Sequence, residues 1–124
     1  MPQRFSEPLF VISVAARLVE MHPQTLRKYE REGLIAPSRT SGNLRLYSDE
    51  DIERLRQVKY LVEQRGLNLA GVQLALELTQ NLQSLRDRLS ASGTDGHQLE
   101  HEINVLLRQL GHVDQEIVRD ARGR

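Results

Sequence analysis

The stretch MHPQTLRKYEREGL, residues 21–34, carries side chains that can read or hold DNA. An arginine can donate two hydrogen bonds to guanine O6 and N7, a glutamine pairs in the same way with adenine N6 and N7, and cations and hydroxyls bind phosphates. The residues placed for such contacts are His22, Gln24, Thr25, Arg27 and Lys28. On charge alone, a solvated helix face fits the same run equally well.

The residues around this stretch predict a helix-turn-helix, which favours the DNA interpretation. Pro23 suits the first helical position because its missing N–H would have no partner there. Gly33 supplies the left-handed residue that closes many helices, so a helix is predicted from Pro23 to Glu32. A shorter helix precedes it, predicted to be capped by Ser13 and to end near Glu20. In a helix-turn-helix, the second helix enters the major groove.

A small β-hairpin, or wing, is predicted next. Residues 38–43, SRTSGN, are rich in turn formers, and residues 44–47, LRLY, alternate as a half-buried strand does. The wing residues placed to meet a DNA backbone or the edge of the minor groove are Arg39, Thr40, Asn43 and Arg45. Tyr29, on the preceding helix, fits either a phosphate contact or the core, and Tyr47 is expected to pack under the wing.

Three more helices are predicted beyond the wing. Ser48 precedes three acidic residues, a strong helix start, and this helix is predicted to stop at Gly66. Asn68 is predicted to cap the fourth helix. Residues 90–96, SASGTDG, are rich in turn formers and predict a loop.

The closing helix carries an apolar seam with the spacing 4, 3, 4, 3 and 4, as in a coiled coil. Its members are Leu99, Ile103, Leu106, Leu110, Val113 and Ile117. The seam needs a partner helix. We interpret the partner as a second chain; the alternative is the fourth helix of the same chain.

One motif points to enzymatic chemistry instead. HQLEH at residues 97–101 matches H-x-x-E-H, a zinc-ligand pattern of one metalloprotease group. Matches of five residues arise by chance, His97 stands at the start of a helix, and no third ligand is evident in a catalytic setting. The sequence therefore predicts neither an enzyme nor a metal site, and no cofactor.

Composition narrows the function further. The chain has 124 residues and a formal charge of zero. It contains no cysteine, which excludes disulfides and thiolate metal sites. Residues 22–47 nevertheless hold five Arg and Lys against two Glu, a local excess that suits nucleic acid. Neither a membrane span nor a signal sequence is evident, which predicts a cytoplasmic protein that works at the nucleoid.

The order of these motifs resembles the mercury-resistance regulator (MerR) family of winged-helix transcription factors. The resemblance rests on HPQTLRKYEREGL, RTSGNLRLYS and DEDIERLR, followed by the coiled-coil seam. Within the family, FVISVAARLVEMHPQTLRKYEREGLIAPSRTSG and GLNLAGVQLALEL resemble the heat-shock repressors of the HspR group. The similarity covers roughly residues 9–80.

The resemblance implies a homodimer with antiparallel C-terminal helices, bound to an inverted-repeat operator. Thr25, Arg27 and Tyr29 match the recognition-helix motif of the family, and Arg45 matches its wing arginine. The resemblance to the HspR group implies repression of chaperone genes, with the chaperone DnaK as co-repressor in some members. Few residues follow the seam, which favours temperature or a protein partner over a drug or a metal as the signal.

Together these observations predict an all-α fold: a winged helix-turn-helix with a small hairpin wing and a C-terminal coiled-coil dimerisation helix. The DNA-binding domain is predicted over residues 9–78, and the helical linker and dimerisation region over residues 79–120. The expected function is repression of heat-shock genes. The alternatives are a MerR-type regulator of another stress or of a nitrogen response, and a coiled-coil interaction protein that tethers DNA nonspecifically.

Overall fold

The structure, a computed structural model, describes residues 5–92 and 96–112. The chain divides into two compact units, Met1–Lys59 and Tyr60–Arg124, and each is described by itself. The first unit contains β1 (Pro8–Val11), α1 (Ile12–Val19), α2 (Pro23–Arg31), β2 (Ser38–Arg39), β3 (Arg45–Ser48) and most of α3 (Asp49–Glu63). The second contains the end of α3, then α4 (Leu69–Ser92) and α5 (His97–Gln109). The described chain is therefore mostly helical with one small sheet, as a winged helix-turn-helix requires.

The helix-turn-helix forms where the sequence predicted it. Helix α1 ends at Glu20, whose backbone is left-handed with φ 56°, and α2 begins at Pro23. Gly33 is also left-handed, with φ 79°. The predicted Ser13 cap is wrong: the N-cap is Val11, without a side-chain hydrogen bond, because β1 runs directly into α1.

Three antiparallel strands form the wing sheet, in the order β1-β3-β2. The predicted hairpin is β2 and β3, with Ser38 opposite Leu46 and Arg39 opposite Arg45. Strand β1 was not predicted from the sequence. It pairs with β3 at the sheet edge, where Pro8, as the first strand residue, removes no donor from the interior of the ladder.

Helix α3 starts with a reciprocal cap. The Asp51 amide donates to Ser48 Oγ at 3.0 Å, and the Ser48 amide donates to the Asp51 carboxylate at 2.9 Å. One apolar face of α3 is buried, since Ile52, Leu55 and Val58 are each 0% exposed. The core of the first unit forms around this stripe and also contains Ala15, Ala16, Val19, Leu26, Tyr29, Leu34, Ile35 and Tyr47.

Three cations of α3 stabilise the ends of the preceding segments. Arg54 Nε donates to the Leu34 carbonyl at 2.6 Å, and Arg56 donates to the Leu18 carbonyl at 3.3 Å. Lys59 donates to carbonyls at the end of α1. Carbonyls at a helix C-terminus lack intrahelical partners, so Arg56 and Lys59 satisfy orphan acceptors of α1.

The second unit is built on two helices that contact each other, α4 and α5. The Asn68 cap is confirmed, because its side chain accepts from the Gly71 amide at 2.8 Å. The loop predicted from residue 90 begins later, since α4 continues to Ser92. Ser90 Oγ donates to the Glu100 carboxylate at 2.9 Å, a bond that gives this polar residue a partner on α5.

Apolar and polar contacts both join these helices. Ile103 and Leu107 of α5 are buried, at 6% and 2% exposure. Arg86 of α4 donates to the Asn104 side chain of α5 at 2.8 Å.

In the described ranges, no helix is long and apolar enough to cross a bilayer.

Gly111 closes α5 in a tight space. Its φ is 84°, and the amides of Gly111 and His112 donate to the Arg108 and Leu107 carbonyls at 3.0 and 2.9 Å. A Cβ atom at Gly111 would lie 2.5 Å from Cδ2 of the Tyr60 ring. The residue is glycine for two reasons, backbone conformation and close approach.

We predict that Gly111→Ala lowers the free energy of unfolding by about 2 kcal/mol or more, because left-handed strain and overpacking add. Gly33→Ala is the control, since a Cβ there meets nothing within 4 Å and only strain of about 1 kcal/mol is added. Equilibrium denaturation followed by circular dichroism measures both. Tyr60→Ala should remove the excess cost of Gly111→Ala; equal costs with and without the Tyr60 ring would contradict the contact.

Candidate nucleic-acid interface

Helix α2 presents the predicted DNA-reading residues on its accessible side. Gln24 and Lys28 are exposed, and Thr25 and Arg27 are half-buried. An Arg27 terminal amino group donates to Gln24 Oε1 at 3.1 Å, which orients the arginine along the helix surface. The Lys28 side chain is exposed and makes no hydrogen bond or ion pair to another described residue, so its ammonium is available to an external anion.

His22 has a role in the fold that the sequence analysis did not assign. Its Nδ1 accepts a hydrogen bond from the Gln24 amide at 3.0 Å, so this histidine is the N-cap of α2. The bond requires an unprotonated Nδ1 and satisfies one of the free amides at the helix start. His22 is exposed, so the predicted DNA contact would have to use its other edge.

The tip of the wing is held by its own hydrogen bonds. The Thr40 amide donates to the Leu44 carbonyl at 2.9 Å, and the Leu44 amide donates to Thr40 Oγ1 at 3.1 Å. Asn43 is left-handed with φ 65°, a conformation that asparagine tolerates better than most residues. The polar groups of Thr40 and Asn43 thus shape the turn.

The two wing arginines face each other across the sheet, and one carboxylate lies between them. Arg39 pairs with Arg45 in the ladder, and like charges in that position repel. Glu30 of α2 accepts from both: its Oε2 lies 2.8 Å from Arg39 Nη2, and its Oε1 lies 2.6 Å from Arg45 Nε. We call Glu30, Arg39 and Arg45 the wing clasp; its formal charge is +1.

The electrostatics of the clasp favour an ionised Glu30. Burial raises the pKa of this carboxyl, but the hydrogen bonds and charges of Arg45 and then Arg39 outweigh burial and leave the pKa below its usual value of 4.5. The contribution of Glu30 to stability is therefore present above the pKa of the unfolded chain. It is lost as the pH falls through the lower pKa of the folded chain.

Sequence reasoning missed Glu30, which it read only as an acid on a basic helix. A signal was present: this acid follows Arg27 by three positions, on the same side of the helix. That signal alone does not identify the wing arginines as partners, because Arg39 and Arg45 are 9 and 15 residues away.

The two tyrosines belong to the interior of the first unit. Tyr47 is 0% exposed, which confirms its expected position under the wing, and burial raises the pKa of its hydroxyl. Among the described side chains, that hydroxyl is buried without a hydrogen-bond partner. Tyr29 is 7% exposed, so its ring is part of the core, and a phosphate contact through its hydroxyl stays a prediction.

The zinc-like motif does not assemble a metal site in the part of the chain that the structure describes. Glu100 accepts from Ser90, and within residues 5–92 and 96–112 no three His, Cys, Asp or Glu side chains are grouped to hold a metal ion.

The apolar seam of α5 is divided between two environments. Ile103 is buried, together with Leu107, which the seam did not include, whereas Leu99 and Leu106 are 56% and 45% exposed. Leu110 is half-buried. Val113 and Ile117 lie outside the described residues. On α4, Leu74, Leu78 and Leu85 are also exposed, at spacings of four and seven that place them on one face.

We predict that Arg45→Ala raises the pKa of the Glu30 carboxyl, because it removes the nearest cation and a hydrogen bond to the charged form. An NMR titration of the labelled side-chain carboxyl measures this. Arg31→Ala removes an exposed arginine of the same helix and serves as the control. An unchanged Glu30 pKa in Arg45→Ala would contradict the clasp.

Comparison with known proteins agrees with this geometry. Residues 10–79 match the model of the MerR HTH family of regulatory proteins. The heat shock protein HspR of Streptomyces coelicolor is 50% identical over 91 residues, 72% of this chain and 60% of HspR. The transcriptional regulator GlnR of Bacillus anthracis is 40% identical over 78 residues, 63% of this chain and 60% of GlnR.

A third relative, the transcriptional regulator YfmP of Bacillus subtilis, is 34% identical over 110 residues, 86% of this chain and 79% of YfmP. The chain thus spans about three fifths of the length of HspR and GlnR. GlnR and YfmP are regulators by name, and the matched family is regulatory, which confirms the non-enzymatic interpretation. With more than half of its residues matched by the family model, the chain belongs to the MerR HTH family of DNA-binding transcriptional regulators.

Proposed function

We propose that this regulator is a sequence-specific repressor of heat-shock genes that binds an inverted-repeat operator as a homodimer. The observation that carries the DNA-binding part is the wing clasp, which attaches a basic wing to the helix that bears Gln24, Arg27 and Lys28. The heat-shock part is supported by the 50% identity to a protein named for heat shock.

The recognition helix and the wing supply different kinds of contact. Arg27 and Gln24 suit base edges in the major groove, where a paired hydrogen bond separates one base pair from another. Lys28 and the wing arginines suit phosphates, which hold the protein in register without reading sequence. This division makes the first unit a reader of one half-site.

Dimerisation is supported by the exposed leucines of the second unit. Leu99 and Leu106 of α5 and Leu74, Leu78 and Leu85 of α4 offer apolar surface that a second copy can cover. One half-site offers few contacts, so a dimer that binds two half-sites gains avidity of about 10²–10⁴ through effective concentration. The antiparallel pairing of C-terminal helices, and DnaK as co-repressor, rest on the family resemblance and stay predictions.

A selection of genomic DNA fragments from the host by the purified protein tests the proposal. We expect a single inverted repeat, enriched upstream of chaperone genes. Enrichment upstream of other stress or nitrogen genes would favour a regulator of that response. Absence of any enriched sequence would favour an interaction protein that tethers DNA nonspecifically.

We predict that Arg27→Ala weakens binding to the selected operator by about 1–3 kcal/mol per half-site and relaxes the preference at one base pair. Fluorescence anisotropy on the operator and its single-base variants measures both effects. Arg17→Ala removes an exposed arginine of α1 and controls for the loss of one charge. Equal weakening on operator and random DNA would make Arg27 a phosphate contact.

We predict that the double variant Leu99→Asp, Leu106→Asp is monomeric by light scattering and binds the operator at least about a hundredfold more weakly. Both side chains are exposed within the chain, so the helices should remain folded, as circular dichroism would verify. Gln98→Asp, His101→Asp changes two exposed polar positions of the same helix and should remain dimeric. A dimeric leucine variant would contradict this interface.

A further inference from the structure

We propose that Glu30 is a positioning residue for DNA specificity: it joins the wing to the recognition helix and assigns different tasks to the two wing arginines. Arg39 holds the wing in place, and Arg45 contacts a phosphate. This inference rests on the proposed DNA-binding function and adds a residue and a division of roles to it.

Within the wing clasp, Arg45 contacts Glu30 with only one edge of its guanidinium, so the other edge is available. It donates to Glu30 through Nε, at 2.6 Å. Its two terminal amino groups make no hydrogen bond to a described residue, and neither is among the buried unsatisfied atoms of the described side chains. A guanidinium has five donors in a fixed plane, so Arg45 can bind Glu30 with one edge and a phosphate with another.

Arg39 is held at both terminal nitrogens. Its Nη2 donates to Glu30 at 2.8 Å, and its Nη1 donates to the Asn43 carbonyl at 3.2 Å. Asn43 is the left-handed residue of the wing turn. Arg39 therefore bridges the helix α2 carboxylate and the turn, which makes it a brace for the wing.

The position of Glu30 connects the wing to Arg27, the residue proposed to contact a base. Glu30 follows Arg27 by three residues, so the two side chains are neighbours on the surface of α2. When Arg27 is hydrogen-bonded to a base, the wing clasp determines which DNA phosphate Arg45 can contact. Two contacts held in a fixed geometry raise the affinity for the operator over other sequences more than two independent contacts do. Both contacts form together only when the base pairs match.

A carboxylate close to DNA phosphates also has a general cost. It repels the backbone and so lowers affinity for every sequence. The clasp thus reduces nonspecific binding while it preserves the geometry needed at the operator. Both effects raise the ratio of operator affinity to random-DNA affinity.

Glu30→Gln tests this inference directly, with binding to the selected operator and to random duplex measured over a salt series. The variant should bind random DNA more tightly and steepen the slope of log affinity against log salt by about one unit per half-site, because Arg39 is released toward phosphates. The operator-to-random ratio should fall roughly tenfold, the size of a coupling between neighbouring charged groups. Glu32→Gln removes an exposed acid of the same segment and should leave the ratio unchanged.

Arg45→Lys separates positioning from charge. A lysine carries its donors on one compact ammonium. It therefore lacks the separate edges with which a guanidinium can bind Glu30 and a phosphate at the same time. In the presence of Glu30, Arg45→Lys should therefore weaken operator binding almost as much as Arg45→Ala. In the Glu30→Gln background, the lysine is free to reach the phosphate, so Glu30→Gln, Arg45→Lys should bind the operator more tightly than Arg45→Lys alone.

Glu30→Asp gives a version of the test that keeps the charge. The shorter side chain cannot reach both arginines, so the operator-to-random ratio should fall. The retained carboxylate still repels the backbone, so affinity for random DNA should rise less than it does in Glu30→Gln. Thermal melts of each variant establish that the first unit is folded. If Glu30→Gln does not fold, the Glu30→Asp and Arg45→Lys results decide.

Two outcomes would overturn the inference. The first is an equal rise in operator and random affinity for Glu30→Gln and Glu32→Gln, which would make Glu30 a charge without a positioning role. The second is an operator-to-random ratio that Glu30→Asp leaves unchanged. A wild-type protein that prefers no sequence would instead contradict the proposed function itself, and the wild-type measurement detects that case.

Discussion

The predicted DNA-binding side of the first unit depends on one electrostatic constraint: two arginines lie opposite each other on a two-residue strand and its partner. Arg39 and Arg45 repel in that position, and a strand as short as β2 has little other pairing to hold it. The Glu30 carboxylate accepts from both at 2.8 and 2.6 Å, so the recognition helix stabilises the wing. The same three residues set the local charge and join the wing to the helix that carries Arg27.

Cations of the first unit divide between the fold and the surface. Arg54, Arg56 and Lys59 donate to backbone carbonyls where earlier segments end, so they stabilise the unit. Lys28 and Arg31 are exposed on α2. A protein with no net charge can therefore still present a basic surface, because nucleic-acid binding depends on where charges lie and not on their sum.

Local signals in the sequence predicted most of the fold. Pro23 and Gly33 mark the ends of the recognition helix, and Ser48 and Asn68 cap the helices that follow, because each acts within a few residues of itself. Features that depend on distant partners were missed or misplaced. Strand β1 forms by pairing with β3, which is distant in the sequence. Helix α4 extends past the expected start of the loop, and Ser90 there donates a hydrogen bond to Glu100.

The same limit applies to the candidate site. Residue type and spacing predicted Gln24, Arg27 and the wing arginines as DNA contacts, but they did not predict the Glu30 carboxylate that joins the two wing arginines. In α5, periodicity found an apolar seam, whereas burial separates Ile103 and Leu107 from the exposed Leu99 and Leu106. Periodicity reports that a face is apolar; it does not report which helix covers it.

In the proposed function, a symmetric pair of winged helices binds two half-sites, each through a recognition helix and a wing. Hydroxyl-radical footprinting of the wild-type protein on its selected DNA tests this most directly. We expect two equal protected regions related by the symmetry of the repeat, with centres one helical turn of about 10 base pairs apart or a multiple of it, and flanking protection from the wings. A single protected region, or uniform protection along the duplex, would contradict it.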